Sequence, residues 1–242
     1  MNQPENRSEI VRLENVSKVF GVNGHGMTAV QAVTLSLSAG ELVLLLGPSG
    51  SGKTTLLTLM AGLIEPSEGS VSLFGDDVGE YSEEELQRLR ARRLRFIFQN
   101  FLLIESLSVL ENITLVLRFA GKEAGEARLA ARNLLRQFDI DRLADRYPAK
   151  LSQGEKQRVA IARAIANGAE LIIADEPSAS LELSQGLEII MLLRSLAKEG
   201  NRCVVVASHD LRLVEFADRV FRMRDGAIDE EVRVSGHATR SG

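Results

Sequence analysis

A glycine-rich segment with a lysine and neighbouring threonines has the composition and spacing of a phosphate-binding loop. Gly47, Gly52, Lys53 and Thr54 satisfy the pattern G-x-x-x-x-G-K-[ST]. Glycines let successive backbone N–H groups face phosphate oxygens, Lys53 adds a positive charge, and Thr54 offers a hydroxyl to Mg²⁺. We predict that nucleotide phosphates contact the whole loop, which comprises Gly47, Pro48, Ser49, Gly50, Ser51, Gly52, Lys53, Thr54 and Thr55.

The sequence on both sides of this loop favours a binding role over a simple glycine-rich turn. The apolar run "ELVLLL" precedes the loop as a buried strand would, and "TTLLTLMAGL" follows it with a helical pattern. The loop would then lie at a helix N-terminus, where unpaired N–H groups and the positive end of the helix dipole attract anions.

Two adjacent acids follow a second apolar run, "LIIADEP". Asp175 could hold a metal ion through its hydration shell, and Glu176 could orient and deprotonate an attacking water. The alternative is a helix cap or a solvated pair, because acids favour the first turn of a helix. The phosphate-binding loop upstream favours the catalytic interpretation, since both segments would end at the same edge of a parallel sheet.

Two further polar residues end apolar runs and could reach that edge. His209 follows "CVVVAS" and could hold the γ-phosphate and the water by hydrogen bonds. Gln99 follows "RFIF" and could contact the metal or the water. An ordinary polar residue at the end of a strand is the alternative for both.

The elements that must position these residues predict an α/β fold. "IVRLENVSKVF" and "TAVQAVTLSLS" alternate as half-buried strands, while solid apolar runs separated by helical patterns predict parallel strands covered on both faces. Helical spacing dominates from about 82 to 167, which we interpret as a helical subdomain inserted into the sheet. A further helix is expected from Leu183 to Lys198, and residues 1–242 are expected to form one domain.

The composition narrows the functional classes. The chain has 242 residues, 45% of them hydrophobic, which is enough to bury a substantial core. Its apolar runs are shorter than the roughly 20 residues that span a bilayer, so a soluble cytosolic product is expected. A net charge of −4 argues mildly against a nucleic-acid partner. The single Cys203 lies in an apolar run and is predicted to be a buried hydrophobic residue.

"LSQGEKQRVAIARAI", at 151–165, resembles the signature segment of ATP-binding cassette ATPases. The resemblance covers nearly the whole chain and includes the phosphate-binding loop, Gln99, "LIIADE" and His209 in the family's order. It implies a P-loop NTPase (RecA-like) core with a parallel sheet, an N-terminal antiparallel β subdomain and an inserted helical subdomain. It further implies ATP and Mg²⁺ as cofactors, with Thr54, Gln99 and Asp175 at the metal. Phe20 matches the residue that stacks on adenine, although a core residue at a strand end is equally compatible.

The resemblance also implies a head-to-tail dimer in which the signature of one chain completes the ATP site of the other. Ser152 and Gly154 would direct a hydroxyl and helix N–H groups at the γ-phosphate. Two residues depart from the family pattern, since Gln153 replaces a glycine of the signature and Glu182 replaces an aspartate after the second acidic strand. We expect both changes to affect the rate of hydrolysis more than its occurrence.

Among transporter ATPases, the chain looks most like the lipoprotein-releasing, macrolide-exporting and cell-division branch. It would then bind an integral membrane permease from the cytoplasmic face of the inner or plasma membrane. The alternatives are the ATPase of an importer for amino acids or metal ions, and a nucleotide-dependent switch or scaffold. The run from Phe101 to Ile104 is the expected permease contact, with a buried core segment as the alternative.

Overall fold

The chain forms ten strands and six α-helices within the residues that the structure, a computed structural model, describes: 8–21, 26–98, 100–179 and 181–234. The strands are β1 (Glu9–Phe20), β2 (Met27–Ser38), β3 (Leu42–Leu46), β4 (Glu68–Leu73), β5 (Asp76–Asp77), β6 (Leu94–Ile97), β7 (Leu171–Asp175), β8 (Cys203–Ser208), β9 (Arg219–Arg224) and β10 (Ala227–Arg233). The helices are α1 (Lys53–Met60), α2 (Glu83–Arg93), α3 (Val109–Phe119), α4 (Ala124–Gln137), α5 (Gln153–Ile165) and α6 (Leu183–Glu199).

An antiparallel sheet forms the N-terminal part of the fold, in the order β2-β1-β4-β5. The alternation of apolar and polar residues in β1 and β2 buries one face, as the sequence predicted. Several register shifts interrupt the pairing of β1 with β2. The sheet contributes its apolar face to a core that it shares with α1 and the main sheet.

The main sheet has six strands in the order β10-β9-β3-β8-β7-β6. The strands from β9 to β6 are parallel to their neighbours, and only β10 is antiparallel to β9. All five residues of β3 and all six of β8 are buried. The parallel arrangement places the ends of β3, β7 and β8 at one edge, where the predicted functional residues follow them.

The solid apolar runs have a simple explanation in the packing. Leu44 and Val204 face one core cluster, which includes residues of α3, α5 and α6, while Val43 and Val205 face a second cluster with α1 and the antiparallel sheet. Because both faces of the parallel strands are covered, successive residues are apolar instead of alternating. The α/β prediction is confirmed.

Helices dominate the predicted range from 82 to 167, where α2, α3, α4 and α5 all lie. The short strand β6 also falls in this range and pairs with β7 of the main sheet. The uninterrupted helical stretch therefore begins with α3, whose first turn is capped reciprocally by Ser108 and Glu111. The helix expected from Leu183 to Lys198 is confirmed as α6.

Two predictions about buried and membrane-spanning residues can be compared with the structure. Cys203 is fully buried and burial raises the pKa of its thiol, which fits a hydrophobic role. Within the described ranges, none of the helices combines the length and the apolarity that crossing a bilayer requires.

Candidate functional site

The phosphate-binding loop joins β3 to α1, as predicted. Gly52 has φ 98°, a left-handed conformation in which a Cβ would also overlap the carbonyl oxygen of Ala29. A Cβ at Gly47 would overlap the carbonyl oxygen of Met223. No side chain of the described residues caps the first turn of α1, and that turn contains no acid. The fold thus keeps the N–H groups of the α1 N-terminus available to an anion. Within the loop, the Gly47 N–H donates to the Ser208 carbonyl oxygen and the Ser51 N–H to the Pro48 carbonyl oxygen.

Lys53 is turned into the loop. Its Nζ donates to the carbonyl oxygens of Gly47, at 2.7 Å, and Pro48, at 2.9 Å, and the residue is buried. It also lies 3.9 Å from Glu176 Oε1. An ammonium held by two carbonyl oxygens and one distant carboxylate gains more from a phosphate oxygen, because hydrogen bonds between two charged groups are stronger.

Thr54 and Asp175 meet across the cleft although they lie far apart in the sequence. Thr54 Oγ1 donates to Asp175 Oδ2 at 2.8 Å. Burial raises the pKa of Asp175 above its ordinary value, and the hydrogen bond from Thr54 opposes that shift. A hydroxyl and a carboxylate beside a phosphate cradle are hard oxygen donors, which suit Mg²⁺ because it uses few protein ligands.

Glu176 follows β7 in a strained backbone conformation. Its φ is 48°, a left-handed value that is uncommon for residues other than glycine, and its N–H donates to the Ala207 carbonyl oxygen at 3.0 Å. Its Oε1 lies 3.0 Å from Nδ1 of His209, and its Oε2 accepts a 3.4 Å hydrogen bond from Ser208 Oγ. The structure therefore brings together two of the three predicted catalytic residues, Glu176 and His209, and the third, Gln99, lies outside the described residues.

Ser208 contributes contacts that sequence reasoning missed. Besides its bond to Glu176, its Oγ accepts a hydrogen bond from the N–H of Asp210 at 3.1 Å. The hydroxyl thus fixes the turn that carries His209. A serine at the end of an apolar strand gives no sequence signal for this role, because its partner Glu176 follows a different strand, β7.

Phe20 ends β1 and pairs with Met27 across the antiparallel sheet. Met27 lines the same cleft as Lys53 and Thr54, and 44% of Phe20 is exposed. The Lys18 ammonium lies 5.5 Å from the centre of the Phe20 ring. The ring is therefore an exposed aromatic surface beside the cleft and does not belong to the core.

The signature residues lie on a different part of the chain. Ser152 is the N-cap of α5, and it forms a capping box with Glu155, whose pKa is lowered by the hydrogen bond from the Ser152 backbone. Gly154 lies in the first turn of α5, which contacts α3, α4, α6 and β6. Neither residue lines the cleft that Lys53 and Thr54 form. A single chain therefore does not bring Ser152 and Gly154 to its own phosphate loop.

The two departures from the family pattern both fall at helix starts. Gln153 is the exposed first residue of α5. Glu182 is the N-cap of α6, where its side chain makes no capping hydrogen bond. Neither residue has a buried structural role, so their effects would arise only where another molecule meets these surfaces.

Gln99 lies outside the described residues, but the loop that follows it is held in place. The Asn112 amide nitrogen shares its two hydrogens among the carbonyl oxygens of Ile104, Leu107 and Ser108 at 3.0–3.1 Å, and its oxygen accepts from the Ile104 N–H at 2.8 Å. Leu102 is 55% exposed and Ile104 is 39% exposed. Phe101 and Leu103 are partly buried, so the expected apolar surface consists of alternate residues of the run.

Replacing Asn112 by alanine should lower the free energy of unfolding by about 2–4 kcal/mol, because four backbone hydrogen-bonding groups lose one buried partner. The measurement is urea unfolding followed by circular dichroism. Asn167→Ala is the matched control, since it removes a single hydrogen bond, to the Ala91 carbonyl oxygen. An Asn112→Ala midpoint equal to that of the control would show that the loop does not depend on this amide.

The family model described as "ABC transporter" matches residues 30–179. The uncharacterized ABC transporter ATP-binding protein YbbA of Escherichia coli is 39% identical over 222 residues, which cover 92% of this chain and 97% of YbbA. The macrolide export ATP-binding/permease protein MacB of Rhodopirellula baltica is 38% identical over 226 residues, covering 93% of this chain and 33% of MacB.

A solved structure agrees with the fold. The ATP-binding cassette MJ0796 of Methanocaldococcus jannaschii, in a dimeric post-hydrolysis state bound to ADP and Pi, superposes with a TM-score of 0.86. The two sequences are 36% identical, and the match covers 94% of this chain and 100% of that chain. The arrangement of an antiparallel sheet, a mixed sheet and flanking helices is thus that of a known ATP-binding cassette.

Proposed function

The chain belongs to the ABC transporter family and is an ABC ATPase, and we propose that it powers a membrane permease that transmits force in lipoprotein release or efflux. The observation that carries this proposal is the 38% identity to MacB, whose name assigns both ATP-binding and permease functions to one protein. The cassette would bind its permease as a peripheral subunit at the cytoplasmic face of the inner or plasma membrane.

ATP would lie with its phosphates in the loop from Gly47 to Thr55. The N–H groups of the loop and of the α1 N-terminus would bind phosphate oxygens, and Lys53 would exchange its carbonyl partners for the β- and γ-phosphates. Mg²⁺, held by Thr54 and through water by Asp175, would neutralise charge on the β- and γ-phosphates. Gln99 stays a predicted contact of the metal or the water.

Glu176 would act as the general base for hydrolysis. The attacking water would give a proton to the Glu176 carboxylate while the water oxygen bonds to the γ-phosphorus. The bond between that phosphorus and the oxygen that bridges it to ADP would break. His209, 3.0 Å from Glu176, would hold the carboxylate in position and hydrogen-bond the γ-phosphate. The products are ADP and inorganic phosphate.

Two copies of the chain would close head to tail around ATP. Since Ser152 and Gly154 do not line their own cleft, a second chain must supply these residues to the γ-phosphate. The dimeric MJ0796 cassette supports this arrangement. Loss of the γ-phosphate would remove the anion that joins the two surfaces, so hydrolysis would open the dimer.

Adenine would stack on Phe20. Phe20→Ala should weaken ATP binding about tenfold, the usual scale of base–aromatic stacking, while Phe20→Tyr should retain it. Fluorescence titration with a labelled ATP analogue measures the effect. Phe119→Ala is the control, because Phe119 is 84% exposed at the end of α3. Equal affinities for Phe20→Ala and the control would exclude stacking at this position.

Leu102 and Ile104 would form part of the permease contact, together with the helical subdomain at about 82–167. The proposal is tested by affinity purification of the Glu176→Gln chain from detergent-solubilised native membranes with ATP, with a Leu102→Asp chain as the control. Leu102 is the appropriate position because Leu103 packs partly against the core. An integral protein with a large extracytoplasmic domain that co-elutes only with the apolar surface intact supports the proposal. A compact multi-span permease would favour an importer, and the absence of any membrane protein would contradict a transport role.

A further inference from the structure

The loop that follows Gln99 contains two successive residues in a costly backbone conformation. Phe101 has φ 58° and Leu102 has φ 46°, both left-handed values. Residues other than glycine rarely adopt them, and such conformations persist only where the surroundings hold them. The exposed apolar face at Leu102 and Ile104 therefore depends on contacts that force the loop into shape.

Arg163 supplies one of these contacts. Its Nη1 donates to the Leu102 carbonyl oxygen at 2.6 Å and its Nη2 to the Phe101 carbonyl oxygen at 2.9 Å. The planar guanidinium can bridge two neighbouring carbonyl groups, whereas a lysine offers only one ammonium nitrogen. The guanidinium thus binds the backbone of both strained residues directly.

The partial burial of the Arg163 guanidinium is itself unfavourable. Burial lowers the pKa of Arg163, and within the described residues no carboxylate lies close enough to form an ion pair with it. A partly buried cation without a counter-ion is disfavoured relative to water. If the loop needed only a local anchor, neutral groups such as the Asn112 amide would serve without that cost.

Arg163 lies at the opposite end of α5 from the signature residues. Ser152 caps the N-terminus of α5 and Arg163 lies in the last turn, so about 16 Å of continuous helix separates them at 1.5 Å per residue. The first turn would meet the ATP of the second chain, and the last turn holds the loop with the exposed apolar residues. A helix is stiff over this length, so a shift at one end reaches the other.

We propose that Arg163 is a positioning residue that ties the loop at 100–104 to α5, so that ATP-driven dimer closure and partner binding on this loop bias one conformational equilibrium. The inference rests on the proposed function, which supplies the closure and the partner. Coupling of this kind is reciprocal, so whatever holds the loop also favours closure. Through its two hydrogen bonds, the Arg163 side chain would transmit a displacement of α5 to the backbone of Phe101 and Leu102.

Hydrogen exchange of the loop amides tests the proposal on the full chain. In the Glu176→Gln background, ATP should slow exchange at Phe101, Leu102 and Ile104, because closure fixes α5 and α5 fixes the loop. Adding Arg163→Ala should speed exchange of these amides about tenfold without ATP, since two charge-assisted hydrogen bonds are lost. ATP should then no longer slow the exchange, although light scattering still detects the dimer.

Two further variants separate coupling from a merely structural role. Arg163→Lys keeps the charge but replaces the planar two-nitrogen fork by a single ammonium on a shorter side chain, so it should weaken the response to ATP. Arg158 lies on the same helix, but its guanidinium pairs with Glu188 of α6. Arg158→Ala should therefore keep the ATP-dependent slowing of exchange. An equal ATP response in Arg163→Ala and Arg158→Ala would overturn the coupling. Failure of the Glu176→Gln chain to dimerise with ATP would instead overturn the proposed function, and the coupling with it.

Discussion

Replacing Glu176 by glutamine is expected to lower ATP turnover by at least about a hundredfold while leaving ATP binding intact. Glutamine has nearly the same shape but cannot accept the proton of the attacking water. The binding groups of the loop, Lys53 and Thr54, are unchanged. Phosphate release measures turnover, and fluorescence titration measures binding. The variant should also accumulate as an ATP-bound dimer in light scattering, because the γ-phosphate persists.

Glu170→Gln is the matched control for this result. Glu170 immediately precedes β7 and Glu176 immediately follows it, so the two glutamates lie at opposite ends of this strand. Glu170 pairs with Arg93 through two hydrogen bonds, at 2.6 and 2.9 Å, and it does not line the cleft that Lys53 and Thr54 form. Its turnover should stay within about twofold of the wild-type rate. Wild-type hydrolysis by the Glu176→Gln chain would show that another group takes the proton.

The short-range features of the fold could be predicted because they depend on neighbours in the sequence. The glycine loop between an apolar strand and a helix gave β3 and α1 their positions, and the helical spacing from Leu183 predicted α6 to within one residue. The continuous apolar runs indicated strands covered on both faces, which the two clusters on either side of the main sheet confirm. The spacing of apolar residues reflects which side chains are buried, and the pattern of buried side chains distinguishes strands from helices.

The features that could not be predicted depend on contacts between distant segments. Thr54 and Asp175 come together only because β3 and β7 end at one edge of the sheet. The left-handed residues Phe101 and Leu102 have no sequence signal, since neither is glycine or asparagine. Their carbonyl oxygens accept hydrogen bonds from Arg163, which lies 61 residues beyond Leu102 and 62 beyond Phe101 in the chain. The sequence therefore predicted that Glu176 and His209 reach one edge of the sheet, but it did not predict the contacts that hold the surrounding segments in position.

Replacing Gly154 by aspartate should abolish ATP-induced dimerisation and lower turnover by at least about a hundredfold, although each chain still binds ATP. The new carboxylate would lie in the first turn of α5, where the γ-phosphate of the second chain is proposed to bind. The fold should tolerate the change. A Cβ at Gly154 comes within 3.0 Å only of the flexible end of Gln185, and an acid in a first turn favours its own helix.

Gly125→Asp provides the control, because Gly125 is also the second residue of its helix, α4, and a Cβ there meets no atom within 4 Å. The same charge at an equivalent helical position should leave dimerisation and turnover unchanged. Measuring both variants in the Glu176→Gln background by light scattering isolates dimerisation from hydrolysis. If Gly154→Asp dimerised with ATP as readily as Gly125→Asp, the N-terminus of α5 would not face the phosphate of a second chain. The ATP site would then have to be completed by residues other than Ser152 and Gly154.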